Sequence, residues 1–221
     1  QRQMCIRDSP YANRDPRLAM SILTNNVEFK DRTIEAWTGG RDGKGVIHAT
    51  RTGYYIYKFI DPNLDLLQNR TSVHHWVIMR YAEILLSYAE AMNEAYGPTG
   101  NVGYRLNAVR ALNQVRNRVG VEMPAVPTAI SKEELREKIR NERRVELAFE
   151  DHRFWDVRRW MIAPETLGAP LRGVEITKIS DEEFEYKPIE VEKRTFEPKM
   201  YLYPIPQADL NTTGWVQNPL W

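Results

Sequence analysis

Between residues 78 and 119 the apolar positions fall at helical spacing. Ile78, Ala82, Leu85, Leu86, Ala89 and Met92 recur every three or four residues, which predicts one face of an α-helix. Gly97-Pro98 supplies its stop. A second helix is expected over about residues 104–119, with Leu106, Val109, Leu112 and Val115 on one side and Gly120 ending it. A third opens at Ser131, where Glu134 completes a capping box. It carries a looser stripe of Leu135, Ile139, Leu147 and Phe149 towards Trp160. Alanines at positions 82, 89, 91, 108 and 111 let helices approach closely. The pattern therefore predicts stacked helical hairpins, two helices to a unit.

On either side the period is lost. Asp15-Pro16 marks a turn before a short apolar stretch, and residues 38–45, "TGGRDGKG", form a glycine-rich loop. Residues 52–60, "TGYYIYKFI", have the β-branched and aromatic density of a strand. Two further strands are expected in "RGVEITKI" and "MYLYPIP". Trp76 is expected in the core because it leads into the first helix, and Trp221 needs a surface on which to dock. Residues 1–9, "QRQMCIRDS", are polar without periodicity and resemble a non-native, translated adapter stretch, so they are left out of fold reasoning. The native chain is expected to have begun further upstream.

Composition narrows the function classes. With 31 Lys and Arg against 30 Asp and Glu the formal charge is +1, so no imbalance points to nucleic acid. The single cysteine, Cys5, excludes an intrachain disulfide or a thiolate metal cluster. Six Trp and eleven Tyr suit surfaces that are half wet and half apolar, as sugar- and protein-binding faces are, though a core uses them too.

Candidate chemistry is sparse. "GGRDGKG" lacks the phosphate-loop spacing, and no HExxH is present. His152 lies near Glu150, Asp151 and Asp156, but Arg153, Arg158 and Arg159 oppose a cation there, so no metal and no cofactor is expected. Glu142, Glu146 and Glu150 recur every four residues, a spacing that could present a glycosidase pair. Arg140, Arg143 and Arg144 stand beside them, and an arginine grip lowers a carboxyl pKa, the wrong direction for a general acid. No catalytic residue is assigned. The remaining candidate is an aromatic platform. Trp37, with Arg41 and Asp42 just after it, could stack a sugar ring and fix its hydroxyls, or Trp37 could pack beneath its own loop.

Several segments together resemble a known family. "MRYAEILLSYAEAMNE", "LNAVRALNQVRNRVG", "LREKIRNERRVELAFEDHRFWDVRRW" and "YLYPIPQADLNTTGWVQNP" are similar to the C-terminal half of SusD/RagB nutrient-binding lipoproteins, with "RDPRL" and "YYIYKF" fitting upstream. The resemblance implies a mainly α fold of tetratricopeptide-like helical hairpins with packed loops and short strands. Residues 10–221 would be the C-terminal part of such a domain, its N-terminal half absent. It further implies a lipid-anchored protein on the outer-membrane surface, which captures an oligosaccharide, or in some branches a peptide. Its partner would be a SusC-like TonB-dependent transporter, and it would do no covalent chemistry. Arg143, Glu146, Arg153 and Arg158 would be structural ion pairs bracing the last hairpin. Asp151 stands where the family commonly has glycine, a place that calls for left-handed backbone. No binding residue carries over by motif, so Trp37, Arg41 and Asp42 rest on their chemistry. The competing readings are a helical-repeat interaction scaffold without a sugar site and a glycoside hydrolase.

Overall fold

A computed structural model describes residues 10–221, and the non-native reading of residues 1–9 lies outside them. The chain is mainly helical. In order come α1 (Arg17–Ser21), β1 (Ile22–Leu23), β2 (Glu28–Phe29), β3 (Arg32–Thr33), β4 (Tyr55–Ile56), α2 (Tyr81–Tyr96), α3 (Ala108–Arg116), α4 (Lys132–Glu146), α5 (His152–Arg159), α6 (Ala163–Thr166), β5 (Leu171–Lys178), β6 (Phe184–Glu192) and α7 (Gln207–Thr213).

α2, α3 and α4 build the main core. Leu85, Leu86, Ala89 and Met92 of α2 meet Ala108, Val109, Ala111, Leu112 and Val115 of α3 and Leu135 and Ile139 of α4. Ala89, Ala108 and Ala111 are completely buried, so small side chains do sit where helices come close; Ala91 instead faces solvent. The hairpins are tied by polar bonds as well. Tyr88 donates to the Leu106 carbonyl at 2.8 Å, and buried Asn93 donates to the Lys132 carbonyl at 2.9 Å.

Helix ends follow local chemistry. At α4 the Ser131 hydroxyl accepts from the Glu134 amide and the Glu134 carboxylate accepts from the Ser131 amide, both at 3.1 Å. Acidic Glu133 and Glu134 in its first turn and basic Arg143 and Arg144 in its last suit the helix dipole. α3 is shorter than expected, because Asn107 caps it by accepting from the Arg110 amide at 2.9 Å. α2 starts at Tyr81, so Ile78 precedes the helix and is 85% exposed. The stripe of the third helix also ends early. Phe149 and Asp151 take φ of 63° and 62°, which breaks the helix after Glu146, restarts it as α5 and turns Phe149 out of the core.

The second layer is a small β region. β5 and β6 form an antiparallel hairpin in which Ile176 pairs with Tyr186 and Thr177 with Glu185. With Leu23, Ile34 and Ala36, Ile176 and Phe184 form a second core, flanked by Trp37, Tyr55, Tyr57, Val174 and Tyr186. β5 matches the expected "RGVEITKI", whereas β6 was not anticipated because Pro188 interrupts its alternation. A proline fits because a two-stranded hairpin has only edges. Only Tyr55 and Ile56 of residues 52–60 are strand, paired to β1, since Gly53 at φ 79° and Phe59 at φ 72° turn the chain at both sides. "MYLYPIP" is not a strand. Pro198–Tyr201 makes one 3-10 turn, and Pro204 and Pro206 have no amide to give a ladder. Trp76 is 62% exposed rather than core, lying near Phe59. Trp221 docks by donating to the Lys199 and Leu202 carbonyls, each at 3.0 Å.

Candidate functional site

The densest polar constellation lies where the two layers meet. Glu142, Glu146 and Glu150 sit along the end of α4 and the turn after it, all buried. Arg17 of α1 donates to Glu142 at 2.6 Å and to Glu146 at 2.8 Å, while its own neighbour Asp15 holds the rest of its guanidinium at 2.6 and 2.9 Å. Arg80, just before α2, reaches Glu146 at 2.6 Å and Glu150 at 2.7 and 2.8 Å. Arg116 donates to Glu142 at 2.6 Å, and Arg118 pairs with Glu146. Lys58 uses all three of its protons, on Glu150 and on the carbonyls of Glu146 and Ala148. Five cations thus surround Asp15, Glu142, Glu146 and Glu150.

This geometry fixes the electronics. Burial pushes the Glu146 carboxyl up, but hydrogen bonds from Arg118, Arg80 and Arg17 outweigh it and hold the pKa at about 2. Glu150 is likewise lowered: burial works against the charge, and Arg80 and Lys58 overcome it. Burial also opposes the Arg17 charge, yet Asp15, Glu142 and Glu146 hold its pKa above the ordinary value. A general acid needs a raised pKa, so that it holds a proton, and a carboxyl oxygen facing a groove to donate it. Glu146 has neither. It is an anchor that joins α1, the Lys58 segment, the entry to α2 and the exit from α3 onto α4.

The expected cations were Arg140, Arg143 and Arg144, and this assignment is corrected. Arg140 pairs with Glu137 at 2.9 Å, and Arg143 turns to Asp156 at 2.8 Å and the Ser87 hydroxyl at 3.0 Å. Helical neighbours cannot easily reach inward past their own backbone, so the buried carboxylates take partners from facing segments. The one available sequence signal was Arg17 and Arg80 standing inside otherwise apolar stretches.

The glycine-rich loop presents the second constellation. Trp37 is half-buried, tilted against Phe184 at 5.3 Å between ring centres, with the Lys178 ammonium 5.0 Å over its ring. A side chain on Gly40 would strike Trp37 Cε2 at 2.9 Å, so the loop closes down on the indole. Arg41 is exposed and holds Glu35 at 3.3 Å. Asp42 has both carboxylate oxygens on Arg32, at 2.7 and 2.8 Å, and also accepts from the Glu35 amide. Asp42 therefore shapes the loop, and only Trp37 and Arg41 of the three keep surface open to a ligand.

Comparison with known proteins decides the family. The model of the SusD family matches residues 7–221. The chain belongs to the SusD family. A SusD-like protein of Formosa agariphila is 34% identical over 120 residues, covering 52% of this chain and 22% of its own length. A solved SusD-like protein of Bacteroides fragilis superposes with a TM-score of 0.79 at 31% identity, over 96% of this chain and 40% of that one. A second from Bacteroides fragilis, described as a SusD-like carbohydrate-binding protein, gives a TM-score of 0.70 at 30% identity over 92% and 43%. The chain thus spans less than half of each of these relatives.

Of the four residues expected as structural ion pairs in this SusD-family chain, two form them, and the expectation is corrected for Arg153 and Arg158. Arg143 and Glu146 form buried ion pairs. Arg158 braces the hairpin differently, donating to the carbonyls of Met200 and Tyr201 and lying 4.7 Å over Phe154 and 5.1 Å over Tyr203. Arg153 makes no ion pair among the described residues, because the adjacent Asp156 is already engaged by Arg143 and Arg159. Asp151 takes the αL conformation, φ 62°, a backbone that glycine adopts without steric cost.

Proposed function

We propose that this chain is part of a non-catalytic protein that captures oligosaccharides at the outer-membrane surface, lipid-anchored in its full-length form. It would deliver them to a SusC-like TonB-dependent transporter. The observation that carries the reading is SusD-family membership across residues 7–221, with a carbohydrate-binding relative sharing the fold at 30% identity. The engagement of Glu142, Glu146 and Glu150 by guanidinium and ammonium groups supports binding over hydrolysis. A sugar would stack on Trp37 by displacing the Lys178 side chain, with Arg41 beside it to meet hydroxyls.

The test is calorimetric titration with a panel of soluble glycans, with chromatography of the mixture afterwards and Trp37→Ala in parallel. Saturable binding without product, weakened in the variant, is the expected result. Product formation, or silence across the panel in a folded protein, overturns the reading. One feature favours a second reading, a protein-interaction scaffold: the run Trp76, Ile78, Met79 and Tyr81 exposes large apolar side chains at the entry to α2.

A further inference from the structure

Two arginines in the α4–α5 hairpin have no answering charge. Arg140 has Glu137, Arg143 has Asp156, Arg158 has backbone carbonyls, and Arg159 has Glu90 and Asp156. Arg144 and Arg153 make no hydrogen bond or ion pair among the described residues. Burial and the neighbouring Arg144 charge both lower the Arg153 pKa, while Asp156, already bonded elsewhere, only partly offsets them. The Arg153 guanidinium is thus half-buried without an ion pair among the described residues, in the field of the Arg144 charge. A guanidinium so placed gains when an anion pairs with it.

Beside Arg153 lies a cavity of about 470 Å³ lined by Leu147, Phe149, Asp151, Phe154 and Trp155. Its walls are partly aromatic, with Phe149 40% and Trp155 58% exposed. The backbone is preset. Left-handed Phe149 and Asp151 bracket Glu150, whose carboxylate is pinned by Lys58 and Arg80, so Phe149 is held outward by the buried charge cluster. Strained backbone on a rigid support is the usual setting of a binding site. Asp151 is exposed, bonds to neither arginine, and offers an acceptor for a hydroxyl.

We propose that this cavity is a subsite for an acidic sugar, whose carboxylate or sulfate ester pairs with Arg153 while its ring lies against Trp155 and Phe149. The proposal rests on the carbohydrate-capture reading and names a ligand class for it. It is independent of Trp37, which belongs to the β layer.

Calorimetry with length-matched neutral, uronic-acid and sulfated oligosaccharides, and with inorganic sulfate, tests it. An acidic sugar should bind about tenfold or more tightly than its neutral counterpart, the scale of one charged hydrogen bond. Arg153→Gln should abolish that preference, Trp37→Ala should leave it intact, and added salt should weaken it. Should Arg153→Gln lose its far-ultraviolet dichroism, Arg153→Lys, which keeps the charge and loses the planar fork, should still weaken the preference. The uronate and sulfate arms tell which anion is preferred. Neutral sugars binding equally well overturn this subsite and leave the capture reading standing. Inorganic sulfate binding as tightly as the best saccharide overturns the role of the ring contacts. Silence in every arm overturns both proposals.

Discussion

Glu146→Gln removes one negative charge from the point where Arg17, Arg80 and Arg118 converge, and leaves the side-chain shape unchanged. The Glu146 side chain is 0% exposed, so solvent cannot replace the lost charge. Breaking a buried pair from one side costs about 3–5 kcal/mol. The titration gives a second figure. A carboxyl pKa of about 2 in the fold against 4.5 ordinarily corresponds to about 3 kcal/mol. Because the folded pKa is the lower one, that stabilisation is complete above pH 4.5 and is lost as pH falls towards 2. Urea denaturation followed by far-ultraviolet dichroism on both proteins is the assay. The expected gap is about 3 kcal/mol at pH 7, falling to about half or less at pH 3. Other carboxylates titrate too, but they do so in both proteins and largely cancel. A gap under about 1 kcal/mol at pH 7, or one of equal size at both pH values, refutes the anchor reasoning.

Further outcomes follow from local geometry. Ser131→Ala removes the acceptor of the capping box and should cost about 1 kcal/mol, visible as a lower urea midpoint. Asp151→Gly should stabilise by about 0.5–1 kcal/mol, since glycine adopts φ 62° without steric cost; a thermal midpoint that does not rise speaks against strain there. Gly173→Ala would place a methyl 2.7 Å from the Thr52 carbonyl oxygen and 2.8 Å from its Cα, and should cost about 1–3 kcal/mol by thermal denaturation.

The parts of the fold that local periodicity controls were readable in advance. Leu85, Leu86, Ala89 and Met92 form the buried face of α2, and Ser131 and Glu134 cap α4, because both depend on residues three or four apart. What escaped depended on distant partners. Ile78 continues the apolar spacing yet precedes the helix, where Arg80 is extended and drawn to α4. "MYLYPIP" has strand composition, but Arg158 takes two of its carbonyls and two prolines withhold amides. The same division runs through the candidate sites. That Glu142 and Glu146 would be held by arginine was deducible from charge density. Which arginines was not, since Arg17 lies 125 residues from Glu142 in the chain. Trp37 suited either stacking on a ligand or packing under its loop, and only the positions of Phe184, Lys178 and Gly40 show how much of its ring is already covered.

The sharing of carboxylates at the layer boundary has a consequence for how such sequences can drift. Glu146 touches three cations, while Glu142 and Glu150 touch two each, so no single cation is the sole partner of any of the three. A first substitution among these cations is buffered by the survivors, whereas a second on Glu142 or Glu150, or a third on Glu146, strands a buried charge. The two effects do not add. Arg118, 39% exposed and joined to Glu146 alone, is the position freest to vary. Arg17, at 4%, serves two buried carboxylates at once and is tolerant only while Arg116, Arg80 and Arg118 remain. The cluster therefore imposes epistasis among segments remote in sequence: the fitness of a change at position 17 is set by what stands at 80, 116 and 118.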